Sequence, residues 1–438
     1  MEPLTSSDRQ EQLDTKQIGK NRNKGFLFYY HCTLAVSSVL IFFTFLDIYL
    51  WESIKLVPPV IFIYLLIAAV FFLILVARFS KVRYGIPIEL MIWCIGYAAI
   101  SSFSFLLLLS FSSYPEEIGM QQLRTRILSE VFLLVMFLVF SKYPKVQTLT
   151  RLAICLATIL AIFNNLLEFS DPHIFGGLNT TGRAAGFYVN PNITGCALIL
   201  GMIFGIGALP QKLRIFYAFI VLAGVLMTFS RGAIFGWLLV MGIFYKSEFI
   251  SRKQSMIWVV SILGISFLFG SLLSTIFDLD ELQRSGLVTA NFDNIRERLE
   301  WFQNPKSEDS ADARLEVLTI AWKMFGNHPL LGNGLASTDN LNNWGISTHN
   351  MYLLHIADHG ILGIIILPTL VLAVTWKSQG ESRDVAWAFS AFILLWGFFS
   401  HNILEERYIL MSFSLMAAMN RSSRFRRRRR NLQPELSN

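Results

Sequence analysis

Three arginines and a histidine in this 438-residue chain have the side chains and settings to hold an anion and move a proton. Arg183 lies in Thr181-Gly-Arg-Ala-Ala-Gly-Phe-Tyr-Val-Asn-Pro-Asn192, a stretch rich in glycine and asparagine. Arg231 fills the short Phe229-Ser-Arg-Gly232 turn between two apolar runs, and Arg314 opens an amphipathic stretch. A guanidinium presents a planar fork of donors that grips phosphate oxygens bidentately. His349-Asn350 stands where a long polar segment meets an apolar run. An imidazole with a pKa of about 6.5 can take a proton from a hydroxyl at neutral pH. Each residue also has a structural reading: a snorkelling or ion-paired arginine, or a histidine that caps a helix start.

His355, Asp358 and His359 follow at i, i+3 and i+4, a spacing that suits metal ligands. The cluster lacks the glutamate of HExxH and has apolar flanks. At about 100° per residue, His355 and His359 lie about 120° and 80° round a helix from His349, so the three do not converge. A paired, structural His/Asp cluster is the favoured reading, and neither a metal nor a cofactor is expected.

The elements that position these residues are membrane helices. The chain is 54% hydrophobic and only 15% charged. Soluble domains carry about a quarter charged residues, and a single soluble core stops growing near about 250–300 residues. The apolar content also excludes a disordered chain. Cys32, Cys94, Cys155 and Cys196 lie in apolar runs without paired spacing, so they read as small core residues and not as a disulfide framework. Apolar runs near 26–46, 56–77, 86–111, 127–140, 152–168, 194–209, 215–228, 232–245, 256–277, 350–375, 386–400 and 408–420 predict an all-α chain of about twelve spans. Ser101, Ser102 and Ser104 could mark a break in the third. Residues 1–25 are polar without a cleavage site and read as a cytoplasmic tail.

Placing both termini inside puts 25 of the 37 Lys and Arg residues on inner segments and twelve on outer ones. Every short inner loop then carries at least two cations, as the positive-inside rule asks. The chain divides into the tail 1–25, helices one to nine over 26–277, an outer loop 278–349, helices ten to twelve over 350–420, and a basic tail 421–438. Arg426 to Arg430 suit anionic lipid or nucleic acid, but a topology anchor is the favoured reading and no nucleic-acid partner is expected. The outer loop holds six Lys/Arg and eleven Asp/Glu, a net −5. Within it, Asp312 to Phe325 sets Leu315, Leu318, Trp322 and Phe325 at helical spacing, an amphipathic helix for the outer membrane boundary. Arg183, Arg231 and Arg314 are outer-side cations set against the topology rule, which is what marks them as candidates. The acids Asp47, Glu89, Glu130, Glu168 and Asp358 are single or near span ends, thin material for an ion-coupled transporter.

His349-Asn350, nine residues, then Gly360-Ile-Leu-Gly363 resembles the signature of bacterial O-antigen ligases. The Ser230-Arg231-Gly232 turn, the Gly182-Arg183 to Asn190-Pro-Asn192 stretch, and Arg314 followed by Trp322 and Pro329-Leu-Leu-Gly-Asn-Gly334 are similar to the wider O-antigen ligase/polymerase superfamily. The resemblance covers most of 180–375; the first 150 residues match only in hydropathy. It implies a metal-independent glycosyltransferase of a bacterial inner membrane, with both termini cytoplasmic and the loop 278–349 periplasmic. The donor would be a glycan on undecaprenyl pyrophosphate, and the acceptor a sugar hydroxyl on lipid A-core or on a second lipid-linked glycan. Carried over by residue, His349 would activate the acceptor and Arg231 and Arg314 would hold the pyrophosphate, with Arg183 a weaker counterpart and Asn350, Asn192 and Gly360 in support. The alternatives are a polymerase of the same superfamily and a transporter of a small anion or lipid-linked sugar.

Overall fold

The computed structural model describes residues 25–79, 84–111, 116–171, 173–175, 183–253, 256, 309–338 and 348–432. Residues 1–24 of the N-terminal tail, nearly all of the expected span 256–277, most of the loop 278–349 and the last six residues lie outside this set. Among the described residues every regular element is a helix. These are α1 (Gly25–Phe43), α2 (Leu46–Ile54), α3 (Pro59–Phe79), α4 (Ile88–Phe111), α5 (Glu116–Ser141), α6 (Pro144–Ser170) and α7 (Pro191–Gly205). They continue with α8 (Gln211–Met227), α9 (Arg231–Lys246), α10 (Asp309–Asn327), α11 (Met351–His359), α12 (Gly363–Thr375), α13 (Glu381–Trp396) and α14 (Arg407–Leu432).

Among the described residues six stretches are long and apolar enough to cross a bilayer: Gly25–Phe43, Pro59–Arg78, Ile88–Ser110, Pro144–Glu168, Pro191–Ala208 and Met351–Thr375. The sequence led us to expect twelve. α8, α9 and α13 coincide with expected spans but have 17, 16 and 16 residues, short of the roughly 20 a span needs. α5 and α14 are longer but carry charge: Arg124, Arg126 and Glu130 on one, Arg407, Arg421 and Arg424 on the other. α4 runs unbroken through Ser101, Ser102 and Ser104, so the expected interruption is absent.

α7 lies at the centre. Its apolar stretch is 78% buried, against 28% for α3 and 39% for α4. α3 and α4 turn Leu65, Phe71, Ile92, Ile95 and Phe103 outward, an apolar exterior that suits lipid. Gly201 and Gly205, one turn apart on α7, leave no room for a side chain against Thr158 and Cys155 of α6, so the two backbones approach closely. All four cysteines are free. Thr150, Thr158, Ser412 and Ser414 donate to the carbonyl one turn back, which satisfies hydroxyls inside apolar helices.

α10 forms as the spacing predicts, but it docks through a different face. Val317 and Ala321 are buried, while Trp322 stays 60% exposed. Small residues let the helix lie close to the protein and leave its large apolar side chains for the surroundings, together with Leu330 and Leu331.

The segment after α10 locks onto a break in the tenth expected span. α11 ends at Gly360, whose φ of +65° and ψ of −151° are open to glycine and essentially closed to other residues. A Cβ there would overlap the Leu330 carbonyl. The backbone of Pro329–Leu335 fills the gap. Ile361 N–H donates to Pro329 O at 2.8 Å, Asn333 N–H to Ala357 O at 2.8 Å, and Leu335 N–H to Ser104 O at 3.1 Å.

Beside this lock α11 buries its charged end. Arg126 of α5 donates from Nη2 to Asp358 Oδ2 at 2.7 Å, and Ser337 Oγ donates to Asp358 Oδ1 at 3.0 Å. Arg126 Nη1 lies 2.5 Å from His359 Nε2, and Ser104 Oγ lies 2.6 Å from His359 Nδ1. A guanidinium can only donate, so Nε2 accepts and Nδ1–H donates to Ser104. The metal-like spacing of the cluster is thus spent on a cation that the protein itself supplies. Other acids at span ends are also matched: Asp47 with Arg407, Glu89 with Arg424 at 3.0 Å, and Glu168 with backbone N–H groups.

Two outcomes follow for stability in detergent. Gly360→Ala is expected to cost at least about 1–3 kcal/mol in backbone strain alone and to lower the melting temperature, whereas Gly96→Ala, inside a helix with open space around it, does not lower it. Removing either charge of the Arg126–Asp358 pair is expected to cost about 3–5 kcal/mol, while the joint change Arg126→Met with Asp358→Leu costs less than either single change. Unfolding curves of the four proteins check this; additive losses would contradict it.

Candidate active site

Two helix N-termini meet at one end of the molecule. Pro191 opens α7 behind Asn190, whose Oδ1 accepts from Asn192 N–H at 2.8 Å. Arg231 is the first residue of α9, behind the turn Thr228-Phe229-Ser230 in which Phe229 is left-handed at φ +48°. Gly195 packs on Ser230 and Ala233 without space for a Cβ, so the two ends lie side by side. Each presents the positive end of a helix dipole, a setting that favours anions.

Arg183 spans the two. Its Nε donates to Thr228 O at 2.9 Å and its Nη2 to Asn192 Oδ1 at 3.0 Å. The guanidinium thus ties the α9 turn to the α7 terminus and brings its charge there. The residues after it are clamped by Glu168, which accepts from Ala185 N–H and Gly186 N–H, both at 2.6 Å. Thr194 Oγ1 adds a bond to Ala185 O at 2.8 Å. A span-end acid that looked idle in the sequence is a strut for this loop.

His349 reaches the same end through the segment after α13. Asn350 caps α11, its side chain accepting from Leu353 N–H at 3.1 Å. The capping role thus belongs to Asn350, and the exposed His349 before it is left-handed at φ +45°. Met351 N–H donates to Gly397 O at 2.9 Å, and Tyr352 Oη donates to Leu394 O at 2.9 Å. Two residues beyond Gly397, the Phe399 ring packs with Trp396 against Gly232, next to Arg231. The loop 397–406 therefore touches both the Arg231 turn and the start of α11.

The same loop carries His401, which sequence reasoning passed over. Its ring meets His349 edge-on with centroids 5.5 Å apart. Burial, with His349 beside it, pushes its pKa down to about 4, so the ring is neutral at neutral pH. The available signal was the dipeptide itself, because His401-Asn402 repeats His349-Asn350 at another span end. Arg126 was likewise counted only as an outer cation. Its fully buried position follows from Asp358, which the sequence set on a different helix.

Arg314 lies on α10, which packs against α11; its side chain is outside the described part of the structure. The geometry thus gathers Arg183, Asn192, Arg231, His349 and Asn350 at one end, with Gly360 at the far end of α11. Among the described residues no group of three His, Cys, Asp or Glu is arranged to hold a metal.

Residues 216–368 match the family model described as O-antigen ligase. The match spans Arg231, Arg314, His349, Asn350 and Gly360 and stops short of Arg183 and Asn192. No curated protein and no solved structure matches the chain. Among the described residues the structure is all-helical, with helices apolar enough to cross a membrane, and residues 216–368 of the chain are similar to the O-antigen ligase family.

Proposed function

We propose that the protein is a glycosyltransferase of a bacterial inner membrane, O-antigen ligase-like, with both termini cytoplasmic and its active end facing the periplasm. It moves a glycan from undecaprenyl pyrophosphate to an acceptor sugar hydroxyl. The observation that carries this reading is the O-antigen ligase match over the stretch that contains both the Arg231 turn and His349. The neighbouring N-termini of α7 and α9, with Arg183 between them, support an anion-holding role for this end.

In this reading Arg231 and Arg314 hold the pyrophosphate, and the helix ends add partial positive charge. Arg183 fixes the α9 turn and contributes charge from behind it. His349 accepts the proton of the acceptor hydroxyl while the hydroxyl oxygen bonds to the anomeric carbon. The anomeric C–O bond to phosphate breaks, and its electron pair leaves with the pyrophosphate. The leaving group needs its charge held more than it needs a proton, so cations suffice on that side and the chemistry asks for no metal. Asp47, Glu89, Glu168 and Asp358 are matched by arginines or backbone donors, which suits a fixed scaffold more than an ion-coupled transporter.

His349→Ala and Arg231→Ala are each expected to abolish transfer from a lipid-linked donor in liposomes while the protein still inserts. Normal turnover by either variant would remove that residue from the site. A deletion strain separates the two superfamily activities: loss of all glycan on lipid A indicates a ligase, and single-unit caps indicate a polymerase.

A further inference from the structure

His349 has an unusual need for support. It precedes the cap of α11, so the helix does not dictate where its ring points, and its left-handed backbone is a sparsely populated conformation for a histidine. Such a residue holds one direction only if its surroundings impose it. One contact that imposes direction on it is His401, edge-on at 5.5 Å.

His401 is itself held by a short, fastened loop. Phe399 and Ser400 N–H donate to Trp396 O at 2.8 and 3.0 Å, and Glu405 and Glu406 N–H donate to Asn402 O at 2.9 and 3.0 Å. Gln122 of α5, one turn from Arg126, donates to Glu405 Oε1 at 2.5 Å. Arg407 pairs with Asp47 at the loop's other edge. The charges of the loop are thus turned toward α5 and α2. What faces His349 is an uncharged ring, which does not oppose a proton arriving on its neighbour as a cation would.

We propose that His401 is a positioning residue for the transfer reaction: its ring, set edge-on to His349, fixes the direction in which His349 presents its accepting nitrogen to the acceptor hydroxyl. This rests on the reading of His349 as the acceptor's base. His401 acts through His349 and not on the donor. Misplacing a reacting group by about 1 Å can cost about 100-fold in rate, so losing the support slows turnover while donor binding is kept.

The test uses the full-length protein in liposomes with an undecaprenyl-pyrophosphate glycan as donor, and compares wild type, His349→Ala, His401→Ala and His401→Phe. The expected result is no turnover for His349→Ala. His401→Ala should lose about 10–100-fold in kcat with donor KM unchanged to within about twofold. His401→Phe keeps a flat, uncharged ring and should recover most of the lost kcat. Wild-type kcat in His401→Ala, a loss that Phe does not restore, or a raised donor KM would each overturn the positioning role while leaving His349 as the base. Normal turnover by His349→Ala would overturn the base itself and the proposal with it.

Discussion

A full charge pair sits inside this helical bundle, Arg126 against Asp358, each side chain only 1% exposed. Neither charge is tolerable there alone, so α5 and α11 must meet in one register. The consequences spread outward from that contact. Ser337 on Asp358 draws in the segment after α10, and Ser104 on His359 draws in α4. One turn along α5, Gln122 holds Glu405 and with it the loop that supports the active end. α11 begins immediately after His349-Asn350. The placement of the histidine is thus derived from a salt bridge at the opposite end of the short helix that it precedes.

The end that holds Arg183 and Arg231 combines two kinds of positive charge. One is carried by arginine side chains. The other is supplied by backbone: the starts of α7 and α9, brought together because Gly195 leaves room for Ser230 and Ala233. Glycine, asparagine and a buried glutamate are the residues that make such backbone arrangements possible. Glu168 fixes two N–H groups, Asn190 caps α7 and Asn192 receives Arg183.

Helix positions were legible in the sequence because apolar runs of bilayer length leave little freedom. What α8, α9 and α13 lack in length, or α5 and α14 in apolarity, hydropathy alone did not weigh. The arginines and His349 stood out as candidates because they break the expected pattern on the outer side. The burial of Arg126 was not legible, since its partner lies 232 residues away and Arg126 taken singly resembles a loop residue. His401 was hidden for the same reason: its neighbour is set by the fold, across α12 and α13. The role of Gly360 showed in part. Its place in the motif was visible, but the Leu330 carbonyl that excludes a side chain there was not.

α14 has 26 residues and so measures about 39 Å, more than the roughly 30 Å of hydrocarbon in a bilayer. At its start Arg407 grips Asp47 beside the loop that carries His401. Towards its other end Arg421 and Arg424 hold Gly85, Glu89 and the Trp376 carbonyl. A rod clamped at both places does not pivot, so one helix fixes the spacing between the Asp47 edge and the Gly85 edge of the bundle. A tag joined directly after Leu432 would pull on the eight residues beyond the Arg424 clamp and not on the loop that carries His401.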